Sequence, residues 1–163
     1  MLFSDDFMDK IRYLELKVPP VAVFIVFAVL LWLVAKAIPL NGFALPGRKL
    51  IAAGVAAVAG AFAAAGIGSF LRARTTLDPR TPGKTAALVT GGVYTITRNP
   101  LYLSLLLLLA GWAIWLANPV SLVCIPFFVA YMNTFQVKPE ERALAALFGG
   151  EFEEYCRRVR RWL

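Results

Sequence analysis

The chain has 163 residues, 60% of them hydrophobic, and a formal net charge of +7 at pH 7. Because a soluble domain is only about half apolar, this composition argues against a soluble protein and indicates a membrane protein. The basic residues lie between and after apolar runs and form no basic face with interleaved aromatic residues, so we expect a lipid bilayer and not nucleic acid as their partner.

The first apolar run, residues 18–37, has about 20 residues and is long enough to cross a bilayer. The "AKA" that closes it resembles a signal cleavage site, but acidic residues precede the run and the run is long for a signal peptide, so we predict a retained helix. Before it, Phe7, Ile11 and Leu14 recur at helical spacing. That spacing fits either a helix on the membrane surface or a plain amphipathic lead-in.

The second apolar run, residues 50–71, is dominated by alanine and glycine. Ala56, Gly60 and Ala64 have the spacing of small residues at which membrane helices approach closely. The favoured interpretation is a helix packed inside its own bundle. The alternative is a homo-oligomer formed through this Ala/Gly-rich second helix.

Only Asn118 and Pro119 separate the third and fourth apolar runs, residues 101–117 and 120–137. Proline favours a turn and disfavours helix at the residue before it, so we predict a tight antiparallel hairpin. The sequence therefore predicts an all-α integral membrane protein with four transmembrane helices and amphipathic C-terminal helices. We expect one membrane domain, with N-terminal helices over residues 1–74 and a core over residues 75–163.

The distribution of Lys and Arg predicts the orientation of the helices. With the N-terminus inside, 14 of the 17 Lys and Arg residues lie in cytoplasmic segments and three, Lys36, Arg48 and Lys49, lie in an outer loop. Positive residues are enriched in cytoplasmic loops, so both termini and the loop 72–100 are predicted to be cytoplasmic, in a bacterial inner membrane. The polar segments then share one side of the bilayer.

The loop before the third helix contains Gly91 and Gly92 within "ALVTGGVYTI", which we expect to be extended. The glycine pair lets the backbone approach a ligand closely, or it is a plain turn. Arg98 is a cation at a helix N-terminus, which is the unfavourable end of the helix dipole. It has reason to be there if it binds a carboxylate or phosphate. The alternative is that it extends to lipid headgroups.

The residues that follow Arg98 suit the start of a helix. Asn99 can cap that helix, and Pro100 suits its first turn. Tyr102 lies one turn further on, as a stacking or hydrogen-bonding partner or as an anchor at the membrane interface.

The C-terminal tail is predicted to leave the fourth run at Pro139 and to begin a new helix there. Glu140 and Glu141 lie in its first turn, the favourable end for acidic residues. A glycine pair ends it, and a second helix is expected over residues 151–161. The tail is either a lid that places two carboxylates opposite Arg98 or an amphipathic segment on the membrane surface.

The chain contains no histidine, and its two cysteines have no metal-type spacing. These features exclude a histidine-based triad and predict that no metal is bound. Any proton transfer must use Glu, Asp, Tyr, Lys, Cys or water.

The segments "GGVYTITRNPLY", "PEERALAALFG" and "GEFEEY" with "RVRRWL", arranged around an apolar hairpin, resemble the integral membrane methyltransferases of the isoprenylcysteine carboxyl methyltransferase and phospholipid methyltransferase superfamily. The resemblance covers residues from about 75 to 163. It implies that S-adenosylmethionine binds at the cytosolic ends of the hairpin helices, beneath the C-terminal helices. Asn at position 99 is as in the phospholipid-methylating branch, whereas the prenylcysteine branch usually has His.

The resemblance also implies which residues form the site. Arg98 and Glu141 are expected to be catalytic, and the residues expected to bind the donor are Gly91, Gly92, Tyr94, Arg98, Asn99, Pro100, Tyr102, Glu140, Glu141 and Tyr155. Arg98 would hold the donor's carboxylate, and one of the two glutamates would take its ammonium or ribose hydroxyls. A tyrosine would pack on the adenine or near the sulfonium.

The implied reaction is methyl transfer to a small or lipid-like amphiphilic acceptor, catalysed mainly by positioning and exclusion of water. Two other interpretations stay open at the level of sequence. One is a membrane reductase that uses reduced nicotinamide dinucleotide phosphate and is related to sterol reductases. The other is a membrane scaffold without catalytic activity.

Overall fold

The computed structural model describes residues 15–39, 46–73 and 87–163, and these residues form helices and connecting turns without a β-strand. The α-helices are α1 (Pro20–Ala37), α2 (Arg48–Ala73), α3 (Pro100–Leu116), α4 (Cys124–Met132), α5 (Lys138–Phe148) and α6 (Gly150–Arg158). The all-helical prediction is confirmed for this part of the chain. The helix considered over residues 7–14 lies outside it.

The segment before α3 is extended at Gly91, as expected, but departs from the expected extended conformation over Gly92–Thr95. Its described part, from residue 87, contains a short 3₁₀ helix, Gly92–Thr95, and Gly92 has a φ of +63°. A positive φ is readily adopted only by glycine, and it turns the chain sharply towards α3.

The fourth apolar run is part of a longer composite helix, Pro119–Phe148. It begins with a 3₁₀ helix, Pro119–Val123, continues through α4 and a π-helical turn, Asn133–Val137, and ends with α5. The prediction that a new helix starts at Pro139 is therefore wrong. The π turn lets the helix continue past a proline that lacks an N–H group.

The segment before α1 forms two hydrogen bonds with the composite helix, and one of them replaces a bond that the helix lacks. In a regular helix the N–H of residue 139 would donate to the carbonyl of Phe135, and proline has no such donor. The Leu16 N–H donates to that carbonyl instead, at 3.0 Å. Next to it, Gln136 Nε2 donates to the Val18 carbonyl at 2.8 Å. The start of the described chain thereby anchors the middle of the composite helix.

Within the described residues, three helices are long and apolar enough to cross a membrane: α1, α2 and the composite helix. The remaining apolar helix, α3, has 17 residues. Its length of about 26 Å is short of the bilayer core of about 30 Å. The expected count of four transmembrane helices therefore stays a prediction, as does the division of the chain at residue 75.

The turn between α3 and α4 forms as predicted. Ala117 closes α3 in a left-handed conformation, with a φ of 50°. Asn118 Oδ1 then accepts from the Val120 N–H at 2.9 Å, and Asn118 Nδ2 donates to the Ile38 carbonyl at 2.7 Å. One asparagine therefore caps the composite helix and holds the end of α1 beside it.

Helix α2 packs along α3 through small residues, but not through the predicted triplet. Its buried residues are Ala52, Ala59 and Gly66, whereas Ala56, Gly60 and Ala64 are exposed. A Cβ at Gly66 would lie 3.1 Å from Leu101 Cδ2, and a Cβ at Gly111 would lie 3.4 Å from the Ala52 carbonyl. The face that packs inside the bundle therefore repeats every seven residues and leaves the predicted face outside.

Candidate active site

A cavity of about 140 Å³ lies where α3 begins, between the end of α2, the Arg98 turn, α5 and α6. Eight of the ten residues expected to bind the donor line it: Tyr94, Arg98, Asn99, Pro100, Tyr102, Glu140, Glu141 and Tyr155. The structure thus brings together polar groups from three separate parts of the sequence.

The other two residues, Gly91 and Gly92, line a neighbouring open depression of about 420 Å³ with Ser69 and Arg72. Leu88 and Val89 line both spaces, so the depression adjoins the cavity. A Cβ at Gly92 would lie 3.3 Å from Ser69 Oγ. Its positive φ and this close approach both favour glycine at position 92.

The turn that carries Arg98 is fixed by residues far away in the sequence. The Arg98 N–H donates to the Arg160 carbonyl at 3.0 Å, and Thr97 Oγ1 donates to the Arg161 carbonyl at 3.2 Å. Asn99 Nδ2 also donates to the Arg161 carbonyl, at 2.9 Å. The expected capping of α3 by the Asn99 side chain is therefore wrong, because that amide is bound to the C-terminal segment.

The C-terminal segment, residues 159–163, is named here the strap. Helix α6 ends at Arg158 rather than at Arg161 as predicted, because the backbone carbonyls that follow are bonded to the Arg98 turn. Trp162 Nε1 donates to Asn133 Oδ1 at 3.0 Å and ties the strap to the π turn. The strap therefore joins the start of α3 to the composite helix.

Two arginines converge on Glu141. Arg161 binds it through both oxygens, with Nε donating to Oε1 at 3.0 Å and Nη2 to Oε2 at 2.6 Å. Arg98 Nη2 lies 3.2 Å from the same Oε1. A carboxylate thus lies opposite Arg98, as the lid interpretation of the C-terminal tail predicts. Sequence reasoning missed Arg161, because no pattern singles it out among the four arginines of residues 157–161.

The Arg98 guanidinium has few good acceptors. Its side chain is only 14% exposed. Nη1 donates to the Cys156 sulfur, a weak acceptor, and Nε is buried without a hydrogen-bond partner. A buried donor without an acceptor is costly and uncommon, and at a cavity wall it is a group that a ligand can satisfy.

Glu140 lines the cavity beside Glu141 but has a different partner. The Tyr102 hydroxyl donates to Glu140 Oε1. Tyr102 and Glu140 therefore connect the first turn of α3 to the first turn of α5. The two adjacent glutamates of the composite helix thereby face two different surroundings, one aromatic and one cationic.

Aromatic rings form the remaining wall. Tyr94 packs edge-to-face on Phe70, with ring centroids 5.5 Å apart, and the Tyr155 hydroxyl donates to the Tyr94 carbonyl at 2.8 Å. Burial raises the pKa of both tyrosines above their usual value; the nearby Arg98 partly offsets the rise in the pKa of Tyr155. Both phenols therefore stay protonated at neutral pH and act as donors or apolar surfaces, not as bases.

Comparison with known proteins identifies the family to which much of the chain is similar. The family model described as phospholipid methyltransferase matches residues 47–151. The matched range includes α2, the Arg98 turn, α3, the composite helix and both cavity glutamates. It ends before Tyr155 and the strap.

Individual relatives match shorter parts of the chain. An uncharacterized protein of Haemophilus influenzae is 43% identical over 63 residues, which is 39% of this chain and the whole of that protein. Protein-S-isoprenylcysteine O-methyltransferase B of Arabidopsis thaliana is 36% identical over 72 residues, which is 44% of this chain and 36% of that protein. A probable protein-S-isoprenylcysteine O-methyltransferase of Oryza sativa subsp. indica is 35% identical over 72 residues, covering 44% and 38% respectively.

The aligned part thus spans little more than a third of each of these two plant proteins. No solved structure has significant similarity to the chain. The family model, however, covers more than half of the sequence, and the names of the plant relatives agree with it. The chain belongs to the phospholipid methyltransferase family of membrane methyltransferases.

Proposed function

We propose that the chain uses S-adenosylmethionine to methylate a small or lipid-like amphiphilic acceptor. The observation that carries this proposal is the Arg98 guanidinium, largely buried at the cavity wall with its Nε unpartnered and two glutamates beside it. A cation and two carboxylates within one cavity suit a zwitterionic amino-acid group.

The residues of the cavity fit this donor. Arg98 would bind the carboxylate of the donor, and Glu140 or Glu141 would bind its ammonium or its ribose hydroxyls. The rings of Tyr94, Tyr102 and Tyr155 offer surfaces for adenine or for a sulfonium cation. When bound, the donor supplies a methyl group made electrophilic by the positive sulfur. The chain's own residues position the reactants and keep water out.

The size of the cavity bears on where the donor lies. A cavity of 140 Å³ is smaller than the roughly 300–1,000 Å³ of usual small-molecule sites. The adjoining depression shares Leu88 and Val89 with it and is lined by Gly91 and Gly92. We infer that part of the donor occupies this depression, which is consistent with the role expected of the two glycines.

The acceptor is limited by the acid–base groups of the site. The chain has no histidine, and burial keeps Tyr94 and Tyr155 protonated. A carboxylate acceptor needs no base, whereas an amine or hydroxyl acceptor would give its proton to a glutamate or to water. We propose that the acceptor enters from the bilayer, in a bacterial inner membrane with both termini on the cytoplasmic side.

The test is calorimetric titration of the full chain in detergent with S-adenosylmethionine and, separately, with reduced nicotinamide dinucleotide phosphate. We expect micromolar binding of the first ligand only, weakened about tenfold or more in Arg98→Ala and in Glu141→Ala, because each removes a charge-assisted contact. The matched control is Arg158→Ala, since Arg158 is exposed and pairs only weakly with Glu154, at 3.9 Å.

The other outcomes are equally informative. Binding of the nicotinamide dinucleotide alone would show a reductase. Binding of neither ligand would show a scaffold that keeps the family's fold without its activity. Retained binding in Arg98→Ala would disprove the role of Arg98.

A further inference from the structure

We infer that Arg161 is a positioning residue that holds Glu141 in a fixed orientation and so leaves the Arg98 guanidinium available for the donor's carboxylate. The inference rests on the proposed function of the cavity. Arg161 does not line the cavity, whereas Glu141 and Arg98 do. Its side chain acts on a ligand in the cavity through Glu141, which it binds directly.

The geometry shows which arginine binds Glu141 more completely. Arg161 makes the two-pronged contact with both oxygens, at 3.0 and 2.6 Å. Arg98 reaches only Oε1, at 3.2 Å, and shares it with Arg161 Nε. The two-pronged arrangement is the stronger and more directional one, so Arg161 decides how the carboxylate is oriented. In agreement with this, the hydrogen bond to Glu141 raises the pKa of Arg161.

Because Arg161 binds Glu141 more completely, several N–H donors of Arg98 lack a good hydrogen-bond acceptor. A guanidinium has five N–H donors. In the structure Nε has no partner, Nη1 faces the weakly accepting sulfur of Cys156, and Nη2 has a shared oxygen. An incoming carboxylate would supply the missing acceptors at low cost, because the ion pair of Arg98 with Glu141 reaches a single oxygen that Arg161 also binds.

The backbone of Arg161 is fixed to the same turn that carries Arg98. Its carbonyl accepts from Asn99 Nδ2 at 2.9 Å and from Thr97 Oγ1 at 3.2 Å. The strap therefore sets the distance between the two arginines. Without the Arg161 side chain, Glu141 is free to rotate and form a two-pronged pair with Arg98, which would compete with the donor's carboxylate for the same N–H groups.

The experiment compares two ligands, S-adenosylmethionine and its decarboxylated analogue, by calorimetric titration of the full chain in lipid nanodiscs. We expect wild type to prefer S-adenosylmethionine by about tenfold or more, since the analogue lacks the group that Arg98 binds. Arg161→Ala should remove most of this preference. It should weaken the binding of S-adenosylmethionine about tenfold and change the affinity for the analogue less than about twofold. Arg161→Lys should show a preference between those of wild type and Arg161→Ala, because lysine keeps the positive charge but cannot bind both carboxylate oxygens as a guanidinium does.

Measuring Arg161→Ala in the Glu141→Gln variant shows whether Arg161 acts through Glu141 or contacts the ligand directly. In Glu141→Gln no carboxylate is left to pair with Arg98, so adding Arg161→Ala should change the affinity for S-adenosylmethionine less than about twofold. Arg158→Ala is again the matched control, and the thermal unfolding of each variant is followed by tryptophan fluorescence.

Three results would overturn the inference. Equal weakening of both ligands by Arg161→Ala would show a purely structural role. An effect of Arg161→Ala that is the same in wild type and in the Glu141→Gln variant would show that Arg161 acts without Glu141. Absence of S-adenosylmethionine binding in wild type would overturn the proposed function and this inference with it, whereas the first two results leave the proposed function standing.

Discussion

At the scale of single residues, the shape of the chain beside the cavity depends on Gly92. This residue has a φ of +63°, and a Cβ on it would lie 3.3 Å from Ser69 Oγ on α2. Gly91, its neighbour, has a φ of −95° and open space where a Cβ would be. Two adjacent glycines that look equivalent in the sequence are therefore under different constraints.

We predict that Gly92→Ala lowers the free energy of unfolding by about 1 kcal/mol or more and weakens ligand binding, because alanine strains a positive φ and crowds Ser69. Gly91→Ala is the matched control for stability and should leave the free energy of unfolding unchanged, since its φ suits any residue and its Cβ would meet open space. Thermal unfolding in detergent, followed by tryptophan fluorescence, measures the stability, and calorimetric titration measures the binding. Equal effects of the two substitutions would contradict the prediction.

Residue types at the site were more predictable than their contacts. Arg98 is conspicuous in the sequence because a cation at a helix N-terminus is unfavourable. The lid interpretation of the C-terminal tail also predicts two glutamates opposite Arg98. Arg161 is not conspicuous, because nothing in the sequence distinguishes one arginine of a basic tail from its neighbours. Cys156 is not conspicuous either, because a single cysteine in that tail indicates no particular partner. Asn99 was assigned the wrong partner, since local rules see its own helix but not the strap.

At the scale of helices, Pro139 determines how the glutamates are presented. Proline in a helix interrupts the backbone hydrogen bonding, so the sequence correctly indicates an irregularity at this position. It does not indicate whether the helix ends there or continues with altered geometry. Here the π turn Asn133–Val137 absorbs the disturbance, and the Leu16 N–H satisfies the Phe135 carbonyl. That partner lies near the start of the described chain, so no local pattern could indicate it.

We predict that Pro139→Ala weakens the binding of S-adenosylmethionine while helical content is retained. Alanine restores an N–H that competes with Leu16 for the Phe135 carbonyl, which favours a regular helix. A π turn contains about one residue more than an α-helical turn. If the turn becomes α-helical, Glu140 and Glu141 rotate about the helix axis by about 100° relative to α4. Calorimetry and circular dichroism measure the two properties.

The control for Pro139→Ala is Leu147→Ala, which changes a half-exposed side chain of α5. If Pro139→Ala binds the donor as wild type does, the π turn is not needed to orient the glutamates.

The exposed face of α2 bears on whether the protein forms oligomers. A homo-oligomer through Ala56, Gly60 and Ala64 stays a prediction, and their exposure in the structure is compatible with it.

At the scale of the whole molecule, the two cysteines lie near opposite ends of the bundle. Cys156 touches Arg98 at the cavity, and Cys124 begins α4 just after the Asn118 turn, at the far end of α3. Each side of the molecule therefore carries its own thiol, and the predicted topology can be tested without adding a reporter.

We predict that a membrane-impermeant maleimide labels Cys156 in inverted vesicles but not in intact spheroplasts, because the cavity is expected to face the cytoplasm. Cys124→Ser leaves Cys156 as the only thiol of the chain, and Cys156→Ser provides the matched control. Labelling of Cys156 from the outer side would reverse the proposed orientation. Mass spectrometry of the isolated protein gives the extent of labelling.

Composition and hydropathy were sufficient to predict the helical membrane architecture and the hairpin at Asn118. They did not predict which face of α2 is buried, because every face of that helix carries small apolar residues. They also missed the strap, whose extended path depends on hydrogen bonds to a distant turn and not on its own sequence.

The bond between Leu16 and Phe135 has a consequence for how the protein assembles. It closes a loop that includes most of the chain, and long loops lose the most chain entropy on closure. Such a contact forms only when α1 and the composite helix have already come together. We predict that the exchange of the Leu16 amide hydrogen with solvent deuterium reports the separation of the segment before α1 from the composite helix.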